Sequence, residues 1–544
     1  MSARLTSRAL PALLCLSVLL LPLAASGSPA GARLNPTVKF ELEDGAKVSD
    51  MTTVTAKAAA PDDSGIDKVE FYVDDQLKFT DTSTPYEFEW DTLAETEGAH
   101  ALKAIAFDSK GNTATAKISV TIDNELSKGA EAHAASAAAA LKEGNVDLAA
   151  KYARRALKID PANLAAARAY AGVLRQKGQL ADAVAVLDKA TIPDDDIATR
   201  VDLMALHMAK ADAADSTEDF LKDASVALDV YKKVHALRLK SAGTEPVARG
   251  DELMAGRQWL AADQQYQKCG AADEAPVGCV NRRVLALIMG GRNSDAAAIS
   301  RTLIRDKRAD VNTQALVGLL ALSDHDFKKA RASVQDGVEA KNVAALIVAA
   351  YADLAEKKVA QAREEAEQAN SIAPNSADVQ LLRGYLLADD VEAKRAFVRA
   401  LELNPMLAEA YTQRAIHVML ERDANRFQAA DQLLDMAMKI DPQNRYVMMG
   451  RALSFIGQKR PNEAEPLLNT LLDQDKTGAD LYVASALNDS LLGKTLKITE
   501  KLNTALKLEP DRWNDLFVMK PNELIARDYK YRFPPFIMPS SLSK

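Results

Sequence analysis

The sequence predicts a two-part protein, an all-β sandwich followed by an all-α superhelical solenoid. Two observations carry this. Between Thr37 and Ile122 apolar and polar residues alternate in short runs, the period of half-buried strands. Beyond Asn124 the alternation stops, and alanine-rich segments recur at a step of about 34 residues. A third observation, the basic-then-apolar order of the first 27 residues, sets a processing segment apart from both parts.

Arg4 and Arg8 precede the apolar run Ala9 to Leu23, and the small residues Ala24, Ala25, Ser26 and Gly27 close it. This is the order of a secretory signal peptide over residues 1–27, with cleavage expected near Ala25 to Gly27. As a membrane anchor, the bland alternative, the run is short. Cys15 sits behind Leu14 inside the run, which speaks against lipidation. No later stretch has the length and apolarity of a span, so the exported chain is expected to be soluble or peripheral, in the periplasm or at the cell surface.

The chain has 544 residues, 48% hydrophobic but only 5% aromatic, which favours helices packed through small side chains. Its 68 basic and 76 acidic residues give −8. With neither a basic run nor a cationic stripe carrying aromatics, nucleic acid is not an expected partner.

The alternating region, residues 35–125, offers seven strands: Val38 to Leu42, Thr53 to Ala58, Lys68 to Val73, Leu77 to Thr80, Tyr86 to Trp90, His100 to Phe107 and Thr115 to Ile122. Turn-forming runs, Asp62-Asp63-Ser64-Gly65 and Asp108-Ser109-Lys110-Gly111-Asn112, separate them. The segments Lys68 to Asp74, Pro85 to Asp91 and Ala104 to Asn112 resemble successive strand motifs of bacterial immunoglobulin-like domains. That resemblance implies a seven-stranded sandwich used as spacer, adhesion unit or docking unit. Without a cysteine pair, Trp90, Phe88, Phe71 and Tyr72 are expected to supply the core by packing alone. Asp62, Asp63, Asp74, Asp75 and Asp108 could gather around calcium, but turn formation is the preferred reading because their spacing fits no calcium loop.

The domain boundary is placed between Asp123 and Gly129. Thereafter Gly144 recurs as Gly178, Ala149 as Ala183, Ala156 as Ala190 and Ala296 as Ala330, each pair separated by that same step. A hexapeptide closes several units: Ala156 to Pro161, Ala400 to Pro405, Ala437 to Pro442 and Ala505 to Pro510, with a weaker copy ending at Pro374. Alanine permits close helix approach, the two aliphatic residues face the core, and proline cannot continue the helix. The period and spelling resemble tetratricopeptide repeats (TPR) over residues 129–512, which implies about eleven helical hairpins. Some are degenerate: residues 198–242 form a longer pair, Pro374 to Pro405 runs about three short and Pro405 to Pro442 about three long.

Asp194-Asp195-Asp196 before Ile197 reads as helix N-capping rather than a metal or partner site. Cys269 and Cys279 flank a loop holding Pro276 and Gly278; a disulfide staple between adjacent repeats is preferred over two buried thiols. Zinc lacks further ligands nearby in sequence. No phosphate loop, zinc-protease helix or nucleophile elbow occurs, and His100, His133, His207, His235, His325 and His417 are scattered without paired spacing, each expected at the surface or in a groove. No catalytic, cofactor or metal residue is therefore assigned.

The resemblance to the repeat family implies a concave groove lined by the first helix of each hairpin. That register selects Arg168, Arg175, Gln176, Asn312, Tyr351, Tyr385 and Thr412 as groove candidates for a protein partner. Ala134 and Ala138 occupy the places of the family's carboxylate clamp, which weighs against that mode. After Pro510 the aromatic-rich tail, residues 513–544, is expected to cap the last hairpin, with an exposed docking peptide as the alternative. The expected function is an exported scaffold of the bacterial cell envelope. The alternatives are an adhesion or carbohydrate-binding protein working through the sandwich, and an accessory subunit of an envelope export or polysaccharide-assembly complex.

Overall fold

The computed structural model describes residues 35–508, apart from 62–64, 357, 388–389 and 422. The leader, the Asp62-Asp63-Ser64 turn and the aromatic tail lie outside the described residues. The chain divides into two compact units between Lys128 and Gly129.

The first unit has strands β1 (Thr37–Phe40), β2 (Ala46–Val48), β3 (Met51–Ala59), β4 (Ile66–Val73), β5 (Gln76–Asp81), β6 (Tyr86–Asp91), β7 (Gly98–Asp108) and β8 (Thr113–Ile122). They form two sheets, β1-β3-β6 and β2-β8-β7-β4-β5. Every pairing is antiparallel except β2 with β8. Strand β2 is the one that alternation does not reveal, since three residues are too few to display a period.

Side chains of the two inner faces fill the sandwich: Val54, Val69, Phe71, Phe88, Trp90, Leu102 and Val120 are all buried. Tyr72 corrects the expected core. Strand alternation sends Phe71 and Val73 inward and Tyr72 out, where its hydroxyl donates to Glu70 and Lys103 lies 4.4 Å from its ring centre. Tyr86 takes an inner place instead.

The second unit is a succession of helical hairpins, eleven among the described residues. Hairpins 1 to 4 pair Ala130–Lys142 with Val146–Ile159, Leu164–Gln176 with Leu180–Asp188, Ile197–Asp212 with Thr217–Ser241, and Pro246–Ala255 with Trp259–Tyr266. Hairpins 5 to 7 pair Val277–Met289 with Asn293–Arg305, Val311–Ser323 with Phe327–Ser333 and Gln335–Glu339, and Val343–Ala355 with Val359–Ile372. Hairpins 8 to 11 pair Ala377–Leu386 with Asp390–Leu403, Ala408–Leu420 with Arg426–Ile440, Arg445–Gly457 with Pro461–Gln474, and Ala479–Leu491 with Thr495–Leu508.

The local chemistry follows the repeat. Side chains of Asn145, Asn163, Asp196, Ser216 and Asp326 cap helix starts by accepting from backbone amides. Glycine with a left-handed backbone, as at Gly144 and Gly178, turns the chain between the two helices of a hairpin. Hairpin 1 is held to hairpin 2 by small clusters of alanine, such as Ala137, Ala153 and Ala169. One large cluster of buried residues runs from Ala167 to Ala484, with smaller separate ones such as Ala275, Val280 and Leu303 beside it.

Candidate functional site

An open array of this kind exposes the inner side of its first helices. Here that side is largely covered. In hairpin 7 every residue from Val343 to Leu354 is buried, including Asp353, so this helix has no solvent face. The first helices of hairpins 8, 9 and 10 are buried almost as completely.

Contacts between hairpins four to six apart explain the covering. Arg175 of hairpin 2 lies 3.5 Å from Glu402 of hairpin 8. Phe220, on the long second helix of hairpin 3, packs edge-on against Tyr411 of hairpin 9 with ring centres 6.3 Å apart. The Arg414 guanidinium lies 3.9 Å from the centre of the same Phe220 ring. Arg257, in the turn of hairpin 4, donates to both carboxylate oxygens of Glu409, to the Met406 carbonyl and to Asp441. His325, in the turn of hairpin 6, lies 3.3 Å from the Thr477 hydroxyl and 3.9 Å from Asp475. The array coils back on itself, and its middle is a packed core rather than a trough.

The groove candidates divide accordingly. Tyr351, Tyr385 and Thr412 are buried, with at most 4% of their surface exposed, and so line no open groove. Burial pushes the Tyr351 and Tyr385 hydroxyls well above the usual phenol range. Thr412 turns its hydroxyl back to the Ala408 carbonyl of its own helix. Asn312 is half-buried and accepts from the Asn342 side chain, joining hairpins 6 and 7. The candidates on the second hairpin are the ones left open to solvent. Gln176 and Arg175 are exposed, and half-buried Arg168 is held by Asp202 at 2.8 Å. Sequence register finds which helix side faces inward, but not whether the inside is filled.

Histidines are likewise not surface residues as a class. His100, His133, His207, His235 and His417 are buried. Carboxylates face several of them: His100 meets Asp74 at 2.6 Å, His207 meets Asp223 at 2.8 Å and His235 meets Glu252 at 2.7 Å. Such a partner offsets the cost of burying an imidazole.

Among the described residues no group of three or more His, Cys, Asp or Glu side chains is placed to hold a metal ion. The sandwich aspartates serve its turns. Asp108 accepts from the Lys110 and Asn112 amides, Asp74 from the Ala101 amide, and Asp75 pairs with Lys103. Asp196 caps its helix through the Thr199 amide. Cys269 and Cys279 are joined by a disulfide that ties the end of hairpin 4 to the start of hairpin 5.

The residues missed by register are Arg257, Glu409 and Asp441, which lie 152 and 184 residues apart in the chain. One signal for the closure was present. Val343 to Leu354 carries a single charged residue, Asp353, and a helix apolar all round is a buried helix.

Comparison with known families matches residues 36–104 to a family described as Bacterial Ig domain and residues 140–206 to one described as Tetratricopeptide repeat. No curated protein matches. Among solved structures, the fibronectin(III)-like modules of Clostridium thermocellum CbhA share 28% identity over 16% of this chain and 47% of theirs, with a TM-score of 0.15. The chain thus spans about half the length of that relative. The APC/C hetero-tetramer Cut9-Hcn1 shares 13% identity over 74% of this chain and 93% of its own, with a TM-score of 0.36.

Proposed function

The chain carries a bacterial immunoglobulin-like domain followed by tetratricopeptide repeats, and from that premise we propose an exported, non-enzymatic scaffold of the bacterial cell envelope that binds a protein partner through hairpins 1 and 2. Tetratricopeptide repeats imply protein–protein interaction, and neither matched family is a catalytic one. The observation that carries the proposal is the contrast along the array. Within the matched segment 140–206 the first helix of hairpin 2 keeps Gln176 exposed, beside Arg175, which pairs with Glu402. In hairpins 7 to 10 the same side is core.

Export is supported by the leader-like order of residues 1–27 and by the Cys269–Cys279 disulfide, since such bonds persist in oxidising compartments. The test is in-cell photo-crosslinking of the full-length chain. A reactive side chain at Gln176 captures a defined envelope protein, and one at Ile372, exposed on the second helix of hairpin 7, does not. Capture from Leu77 alone, on exposed strand β5, or of glycans without protein, replaces this reading with adhesion through the sandwich.

A further inference from the structure

Several partly buried arginines of the array have a carboxylate in direct contact: Arg257 has Glu409, Arg283 has Asp263, Arg331 has Asp353 and Arg451 has Asp431. Arg414, on the first helix of hairpin 9, departs from this pattern. It is half-buried, its guanidinium rests on the Phe220 ring, and its Nε is buried with no hydrogen-bond partner. Among the described residues no carboxylate is in contact with it. Burial pulls its guanidinium below the usual arginine range, and Asp212 opposes that shift only in part. Around Arg257 the same burial is outweighed by Glu409 and Asp441, and the guanidinium is raised. A cation withdrawn from water without a counter-charge is costly, and a guanidinium held on an aromatic face keeps its fork of N–H donors set for an oxyanion.

The surroundings of Arg414 are a seam that closure creates. The first helix of hairpin 3 packs there against the second helix of hairpin 8. Arg395 and Arg399 lie one turn apart on the latter. Arg399 and Arg175 of hairpin 2 share a single carboxylate, Glu402. Arg395 is exposed, and among the described residues no carboxylate is in contact with it either. Asp212, at the end of the first helix of hairpin 3, feels Arg414, Glu402 and Arg395 together, while desolvation raises its carboxyl. Glu421, which also acts on Arg414, is held by Lys394 at 2.7 Å. Four guanidinium groups therefore face two carboxylates, and hairpins 2, 3, 8 and 9 supply them.

We propose that this seam is an oxyanion-recognition site for the carboxylates of an acidic segment of a protein partner, with Arg414 and Arg395 as the residues that pair with them. The protein source rests on the reading of hairpin 2 as the partner surface, since Arg175 adjoins Gln176. Donors spread over a helical turn of hairpin 8 and onto hairpin 9 suit successive carboxylates of an extended segment better than one small anion.

The experiment is calorimetric titration of the full-length chain with a hexaglutamate peptide at fixed ionic strength. Binding is expected to saturate, and to weaken at least about tenfold in Arg395→Gln and in Arg414→Met. Arg305→Gln, at an exposed arginine of hairpin 5 paired with Asp306, is expected to change nothing. Arg395→Gln alters an exposed side chain, so the test holds even where Arg414→Met fails to fold. Absence of saturable binding to the native chain, equal weakening in Arg305→Gln, or tighter binding of inorganic phosphate than of the peptide overturns the proposal. If hexaglutamate does not bind but Gln176 still captures a protein, the oxyanion site alone falls; if it binds and Gln176 captures nothing, the functional reading alone falls.

Discussion

Glu365 and Arg257 show what it costs to build a long array with a closed interior. Glu365 has a side chain 5% exposed; Arg331 bridges it to Asp353, at 3.3 and 3.1 Å respectively. Burial pushes its carboxyl up to about 7, with Asp353 adding to the shift and Arg331 opposing it. The folded protein therefore holds a proton that the unfolded chain releases above the ordinary 4.5, so this group subtracts stability as pH rises from 4.5 to about 7. Glu365→Gln, which keeps the neutral form at every pH, is expected to be near-neutral at pH 4.5 and to stabilise by about 1–3 kcal/mol at pH 8. Urea unfolding at the two pH values measures it, and an equal effect at both would count against the assignment.

Arg257 is the opposite case, a side chain 11% exposed facing Glu409 and Asp441, which are 4% and 22% exposed. Arg257→Met leaves two neighbouring carboxylates without their cation and is expected to cost roughly 3–5 kcal/mol, partly recovered by adding Glu409→Gln and Asp441→Asn. A loss below about 1 kcal/mol would mean the turns are not held there.

At the scale of the element, the short turn inside seven of the hairpins has the same backbone requirement. Gly144, Gly178, Gly291 and Gly493 meet it with φ of +71° to +80°, the left-handed region glycine enters freely. Arg257, His325 and Lys459 occupy the same repeat position at +59°, +56° and +58°. Two of these three non-glycine residues, Arg257 and His325, are the ones that reach a later hairpin, and the carboxylates they face, Asp441 and Asp475, both close a second helix. A strained turn residue with a long side chain exchanges local ease for a distant contact.

The substitutions separate the two terms. Lys459→Gly, which relieves the backbone and among the described residues breaks no hydrogen bond or ion pair between hairpins, is expected to stabilise by about 0.5–1.5 kcal/mol. Arg257→Gly gains the same relief but loses its carboxylates, and is expected to destabilise by about 2–4 kcal/mol. Denaturant midpoints of the two variants decide it, and a common sign for both contradicts the trade.

For the whole molecule, legibility follows the range of the interactions. The repeat period, the closing prolines and the polar caps are local, so the helices and their pairing into hairpins could be read from sequence. Sandwich strands could be read wherever an alternation was long enough, as in β7, and β2 was lost because it is not. The closed interior was not legible. It depends on a small rotation per hairpin, accumulated over five or six hairpins, that brings Arg257 to Glu409 and Phe220 to Tyr411. Tyrosine adds to the ambiguity, since it suits a wet groove and a packed core equally well, and Tyr351 and Tyr385 prove to be core.

Closure also changes how such an array unfolds and binds. Contacts across 152 and 184 residues couple its earlier and later hairpins, where a simple solenoid couples only neighbours. Binding is left to the surfaces that closure spares, foremost Gln176 on hairpin 2.

The closed interior is tested most directly by hydroxyl-radical footprinting of the native full-length chain, read at individual tyrosines. Tyr351, Tyr385, Tyr411 and Tyr446, at 4%, 0%, 0% and 6% exposure, are predicted to be protected, while half-buried Tyr170 and Tyr482 are oxidised. Oxidation of Tyr351 and Tyr385 at the rate of Tyr170 would mean an open groove along the whole array, and would contradict the account.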